Sequence, residues 1–282
     1  MKPARGWAGV ALALRSPSED KLRSRLPTYV HPIAGRALSW HVLRSMFDAG
    51  EPADSVTLLS DQDVGAEIVA ELPARVVRAA PDPAEAWAEV IEDLGPDVGR
   101  VLVVDAAAAV LGPTLMRLIQ GAPGRRIRSP AGETLAVWVD LEHARAAEAP
   151  DLDALGEGLE DAFPGIRGVD FRVRDRASLV RAAAVIRARL VERLTERGAT
   201  FLAPATVVVD VDVTIGPDTI VYPAVVLEGD TSIGGESVVG PGCRLVDAQV
   251  GSGVELKGWN YIVRARIRNR AVLEPYVRRG FD

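Results

Sequence analysis

Two patterns of apolar positions divide the chain. From Val209 onward an aliphatic residue recurs every six positions, at Val209, Ile215, Val221, Leu227, Ile233, Val239 and Leu245. After a one-residue slip the series continues at Val250, Leu256 and Ile262, and after another at Ile267 and Leu273. Hairpins would alternate with period two, whereas a period locked at six predicts a left-handed parallel β-helix of hexapeptide repeats, with three flat faces per coil and one aliphatic per face pointing inward. Gly216, Gly234, Gly240 and Gly251 directly follow inward positions, which predicts sharp corners with positive φ there. Solenoids of this kind leave open ends and flat sides, so assembly along the β-helix is expected.

Before the repeat the rhythm is different. Short apolar runs at Val10–Leu14, Val56–Leu59, Arg75–Val77, Val101–Val104 and Leu135–Val139 predict strands. They alternate with segments that predict helices over Ala37–Phe47, Val64–Leu72, Ala84–Leu94 and Pro113–Ile119, the order of an α/β unit with a mostly parallel sheet. Asp175 is placed to N-cap a longer helix over Ser178–Arg197, with Leu179, Ala183, Ile186, Leu190 and Leu194 on one face and Gly198 as its stop. This helix is read as the connector between two domains.

Composition narrows the function classes. Hydrophobic residues make up 48% of the 282 and charged residues 26%, the balance of a folded globular protein. A formal net charge of -6 argues against nucleic acid as a partner of the whole molecule. The single cysteine, Cys243, can form no internal disulfide and fits a reducing, cytoplasmic setting. Lys2 and Arg5 precede the apolar run that ends at Leu14, yet that run is short and reads as a buried first strand rather than a signal peptide. No stretch approaches a membrane span.

Several segments carry a family resemblance. Leu26-Pro27-Thr28-Tyr29-Val30-His31-Pro32-Ile33-Ala34-Gly35 is similar to the Leu-Pro-Lys-Val-Leu-His-Pro-Ile-Ala-Gly of the bifunctional N-acetylglucosamine-1-phosphate uridyltransferase/glucosamine-1-phosphate acetyltransferase family. So are Arg189–Leu194 with Gly198 and Pro204-Ala205-Thr206, and Asp218–Pro223 with Val226–Gly229. The resemblance implies a Rossmann-like nucleotidyltransferase domain over 1–177, a connecting helix over 178–200 and a left-handed β-helix over 201–282.

It also says where the chemistry should lie, and there this chain departs from the pattern. The family's glycine-rich phosphate loop, Ala-Gly-x-Gly-Thr-Arg-Met, corresponds to Ser16-Pro17-Ser18-Glu19-Asp20-Lys21-Leu22, in which proline removes a donor and two carboxylates would face phosphate. Lys21 stands at the signature arginine, and Thr28 replaces the lysine that follows Leu-Pro. The uracil-reading Gln-x-x-x-Gln-x-Gly-Thr becomes Val77–Ala84, with neither glutamine nor glycine. Magnesium needs oxygen ligands, which the family takes from the Asp of Tyr-Gly-Asp and the Asn of Val-Asn-Asp. The matching residues are Asp105-Ala106-Ala107 and Val173-Arg174-Asp175, where alanine cannot ligate and arginine repels a cation. Asp105 is then a remnant ligand or a polar strand end that caps the next segment.

An acetyltransferase needs a general base on the β-helix. All three histidines, His31, His41 and His143, precede it, so that activity is not expected. His31 reads as a structural hydrogen-bonding residue and Cys243 as a packing one. Arg264, Arg266, Arg268 and Arg270 alternate along one coil, near Lys257, Trp259, Tyr261, Arg278 and Arg279, and read as a solvated or inter-subunit outer surface, the alternative being a site for an anionic partner, nucleic acid included. The sequence thus yields no intact catalytic set. The first reading is a binding or regulatory subunit for a nucleotide or nucleotide sugar, without a cofactor, forming a trimer through the β-helix or assembling with an active relative. Set against it are a nucleotidyltransferase with a site rebuilt around Lys21 and Asp105 and using Mg2+, and a purely structural trimer.

Overall fold

The computed structural model describes residues 6–14, 21–63, 66–69, 71–79, 81–109, 112–163 and 170–280. Lys2, Arg5, Ser16–Asp20 and Ala80 lie outside the described residues. The chain divides into two compact units, one of residues 1–31 and 37–179, the other of residues 32–36 and 180–282.

In the first unit the apolar runs pair into a seven-stranded sheet. Its strands are β1 (Gly6–Ala13), β2 (Val56–Ser60), β3 (Ala74–Arg78), β4 (Val98–Asp105), β5 (Arg125–Arg128), β6 (Thr134–Asp140) and β7 (Glu160–Asp161), in the spatial order β3-β2-β1-β4-β6-β5-β7. The pairs β1–β2, β2–β3, β1–β4 and β5–β7 are parallel, while β6 runs antiparallel to both β4 and β5, so the sheet is mixed and, as expected, mostly parallel.

Both faces are covered, and the alternation along β1 shows how. Ala8, Val10 and Leu12 join one core with Trp87 and Leu141, while Ala11 and Ala13 join another with Leu43, Met46 and Leu115. A strand buried on both sides reads as a continuous apolar run, which is why the first strand looks superficially like a leader. The flanking helices are α1 (Leu38–Ala49), α2 (Pro83–Glu92), α3 (Gly112–Ile119), α4 (Leu141–Ala146) and α5 (Leu152–Leu155).

Of the helix expected over Val64–Leu72, the described residues form a 3-10 turn over Ala66–Val69, and 64, 65 and 70 lie outside the described residues. Glu71 takes a φ of 65° and Leu72 precedes Pro73, and neither conformation continues a helix.

The long helix α6 spans Arg176–Glu196. The Asp175 carboxylate accepts from the Ser178 N–H at 2.7 Å, as an N-cap does. At the other end Gly198 takes a φ of 101°, and the Ala199 N–H returns to the Leu194 carbonyl at 3.1 Å, the closing bond of a glycine stop.

The second unit is the β-helix, whose two five-stranded sheets and one four-stranded sheet are parallel throughout. Its columns follow the predicted series, for example Val209↔Leu227↔Leu245↔Ile262 and Ile215↔Ile233↔Val250↔Ile267, all buried. The slips fall at the corners of Asp247 and Arg264, where φ is 48° and 44° and the turn is one residue shorter. Leu190, Val191 and Leu194 of α6 pack on the same core.

The expectation for the glycines is corrected. Gly216, Gly234, Gly240 and Gly251 are absent from the positive-φ positions, which fall two residues later at Asp218, Glu236, Gly242 and Gly253. They are glycines because the next coil is too near. A Cβ at Gly234 would lie 2.6 Å from the Ser252 nitrogen, and one at Gly240 would lie 2.5 Å from the Leu256 oxygen. Among the described residues no helix is long and apolar enough to cross a membrane.

Candidate functional site

The strand order reverses direction at β1, which continues outward to β2 on one side and meets β4 on the other, so the carboxyl ends of β1 and β4 flank a topological switch point. A cavity of about 400 Å³ opens there, in the first unit. Leu12 of β1 and Leu14 just beyond it line the cavity, Asp105 ends β4 there, and the wall is completed by segments around Thr28, Asp151 and Arg172.

Asp105 is the last residue of β4 and is buried. One carboxylate oxygen accepts from the Ala107 N–H at 2.7 Å, so it caps the segment that follows, and the other forms an ion pair with Arg172. Arg172 gets there through the backbone. Ala109 N–H donates to the Phe171 carbonyl and Val173 N–H to the Ala107 carbonyl, both at 2.8 Å, so residues 171–173 run antiparallel beside 107–109. Burial pushes the Asp105 carboxyl above its ordinary pKa, and the Arg172 guanidinium and the Ala107 N–H work against that.

The other cation in the wall is also committed. Arg174 forms an ion pair with Glu133. Asp151 caps α5 by accepting from Asp153 and Ala154 N–H groups at 2.9 and 3.0 Å. Burial opposes ionisation of Asp153, but the hydroxyl and N–H of Thr134 donate to it and hold its carboxyl below the usual range. Tyr29, buried in the wall, donates to Asp61 at 2.6 Å. Among the described lining residues, three carboxylates (Asp105, Asp151, Asp153) stand with two guanidinium groups.

Lys21 has an exposed side chain, and its N–H donates to the Arg174 carbonyl at 2.7 Å, which ties its backbone to the segment that carries both arginines. Asp82, in the segment matched to the uracil-reading motif, accepts from Ala84 N–H at 2.8 Å and N-caps α2, with Pro83 at the cavity wall. A magnesium ion is poorly matched to these donors. Asp105 is a single carboxylate already bonded to a guanidinium, and among the described residues no three His, Cys, Asp or Glu side chains are grouped to hold a metal.

The remaining sequence candidates are dispersed. His31 is buried, His41 stacks edge-on with Trp40 at 5.3 Å, and His143 meets the Leu155 carbonyl at 2.9 Å. Cys243 lies in the β-helix core with its thiol 3.5 Å from the Asn260 side-chain oxygen, and burial pushes that thiol up. Arg172 and Glu133 went unnoticed in the sequence. The signal available was the i, i+2 spacing of Arg172 and Arg174 around buried Val173, which puts both on one side of an extended segment.

No family model matches the chain. A bifunctional GlmU protein of Thermoanaerobacter pseudethanolicus is 26% identical over 95% of this chain and 71% of its own length. One from an Anaeromyxobacter species is 28% identical over 95% of this chain and 67% of its own. The chain is homologous to the GlmU nucleotidyltransferases at low identity. A stretch of 81 residues reaches 47% identity with the bifunctional GlmU protein of Mycolicibacterium vanbaalenii, over 29% of this chain and 16% of that one. Among solved structures, a nucleotidyl transferase from Methanothermobacter thermautotroptrophicus gives a TM-score of 0.48 at 15% identity, over 63% of this chain and 96% of that one. Over nearly its whole length the chain is thus similar to GlmU proteins at low identity, with an α/β sheet followed by three parallel sheets of a β-helix.

Proposed function

We propose that this GlmU homologue is a binding or regulatory subunit that has kept the nucleotidyltransferase fold and its cavity without the catalysis. Its ligand is a nucleotide or a nucleotide sugar such as UDP-N-acetylglucosamine, its compartment is the cytoplasm, and residues 1–177 are its ligand-binding domain. The observation that carries this reading is the Asp105–Arg172 ion pair: the one carboxylate at the end of the central strand is bonded to an arginine of its own chain. The commitment of Arg174 to Glu133 and the excess of carboxylates in the wall support it, since both disfavour a triphosphate with its metal.

The test is release of pyrophosphate from UTP and N-acetylglucosamine 1-phosphate by the full chain, with and without magnesium. No turnover is expected. Magnesium-dependent turnover abolished by Asp105→Ala would replace this reading with an enzyme rebuilt around Lys21 and Asp105. Thermal shifts with UTP and UDP-N-acetylglucosamine test the binding half, because a ligand at a hundred times its Kd stabilises by about 2.7 kcal/mol. Silence with both would leave a scaffold.

A further inference from the structure

One face of the β-helix is the parallel sheet of Thr214–Ile215, Ser232–Ile233, Gln249–Val250 and Arg266–Ile267. On its last rung Ile267 points inward and is buried, so Arg266 and Arg268 on either side of it stand outward, and Arg270 follows at the next corner with a φ of 56°. One coil back the matching outer positions hold Gln249 and Gly251. Because Gly251 has no side chain, a shallow recess opens there, lined by Gln249, Gly251, Arg266, Arg268 and Asn269.

The cations of this coil are not equivalent. Arg264 is paired with Asp247 at 3.8 Å, and on the neighbouring face Lys257 is paired with Glu274 and stands beside Glu255. Arg266 instead places its Nε and one Nη on the Gln249 side-chain oxygen, at 3.1 and 2.7 Å. A neutral amide holds the guanidinium without cancelling its charge. Among the described residues Arg266, Arg268 and Arg270 have no carboxylate partner. Asn269 accepts from the Ser252 N–H at 3.0 Å through its side-chain oxygen, which leaves its amide N–H groups unused among the described residues. Glu236 lies on the corner column of Arg270 but two coils away, roughly 10 Å at the usual strand spacing, a distance at which physiological salt screens it.

We propose that this recess binds a compact phosphorylated ligand, a phosphomonoester or a diphosphate, held by Arg266 and Arg268 with Arg270 and Asn269 at its rim. Guanidinium forks match phosphate oxygens in pairs, and two Cα positions about 6.6 Å apart along one strand suit one or two phosphate groups. Carboxylates bound the site and keep the ligand small. A chain of phosphates continuing along the face would reach Glu236, one passing Arg270 would reach Glu255, and one passing Arg266 the other way would meet Arg264 already neutralised by Asp247. The recess lies wholly within the β-helix unit and does not depend on what fills the cavity of the other.

Calorimetric titration of the full chain with pyrophosphate and with inorganic phosphate tests this. Saturable binding that weakens with salt is expected, tighter for pyrophosphate. Arg266→Gln and Arg268→Gln should each weaken it by at least about tenfold, the loss of a charge-assisted bond. Arg264→Gln should change it by less than about twofold, because that guanidinium already has its carboxylate. Arg174→Gln, in the α/β cavity, should leave it unchanged. The β-helix arginines are exposed, so an unaltered melting temperature separates lost binding from lost folding. Absence of saturable binding, equal losses from Arg264→Gln and Arg268→Gln, or loss through Arg174→Gln would overturn the inference. So would affinity for oligothymidylate that exceeds that for pyrophosphate and grows with length, or a changed sedimentation coefficient in Arg266→Gln with binding intact.

Discussion

The β-helix and the α/β unit bury their apolar cores by opposite means. In the β-helix the inward aliphatics from Val209 to Leu273 each stack on a counterpart one coil away, so most of the interior is one local rule repeated. The α/β unit covers both faces of its sheet with side chains drawn from many separate segments, then closes the carboxyl end of the sheet with the Asp105–Arg172 and Arg174–Glu133 ion pairs. The first interior tolerates no departure in size. The second depends on charge, because a buried ion pair stabilises little as a whole but is costly to break from one side.

The largest effect should come from size. Gly234→Val places a side chain against the backbone of the next coil, and the β-helix should lose its cooperative unfolding transition when followed by circular dichroism. Leu245→Ala, in the middle of a buried column, should cost about 4 kcal/mol, read from the denaturant midpoint at unchanged slope.

Charge should dominate in the other unit. Arg172→Met leaves Asp105 buried without its cation and should cost about 3 kcal/mol, while Arg172→Met with Asp105→Leu should cost less than the single change. The pH dependence has a definite sign. Asp105 is raised, so the folded state holds its proton longer than the unfolded one, and stability is fullest below the ordinary value of 3.8 and declines as pH rises through the folded value. Removing Arg172 removes a lowering influence, so the variant's deficit should be smaller at about pH 5 than at about pH 8. An unchanged deficit would mean that Arg172 serves as packing alone.

Asp54 offers the reverse case. The Gly95 N–H donates to it at 2.7 Å and, despite the opposing effect of burial, its carboxyl sits below the usual value. Its contribution is present above pH 3.8 and lost as pH falls through the folded value, so Asp54→Ala should cost about 1.5 kcal/mol near neutrality and progressively less in acid. Smallest of all is the exposed Arg244–Glu228 pair on the β-helix. Arg244→Gln should change stability by no more than about 0.5 kcal/mol.

The same contrast governs what could be read from the chain. The columns of the β-helix, both slips and the stop at Gly198 were legible because each depends on neighbours at a fixed spacing. The reason for Gly216 and Gly234 was not, since a strand spacing one coil away leaves no mark within six residues. Strand β5 was missed because Arg125, Arg126 and Arg128 leave Ile127 as its sole aliphatic. At the cavity, the capping role of Asp105 was within reach of sequence, as it concerns the residue two places on. Its partner was not, because Arg172 arrives by antiparallel pairing from a distant segment whose match to a family motif drew attention to Arg174 instead.

Residues Pro32–Arg36 belong to the β-helix unit although the chain makes them long before the rest of it. Arg36 holds Asp212 at 2.8 Å, and the Ala34 carbonyl accepts from Val211 at 3.0 Å. During synthesis this short clasp leaves the ribosome early and must stay unsatisfied until the first coil follows it. A fragment cut at the end of the α/β sequence would therefore carry a β-helix without the clasp on Val211 and Asp212, and neither unit of this molecule is a single run of chain.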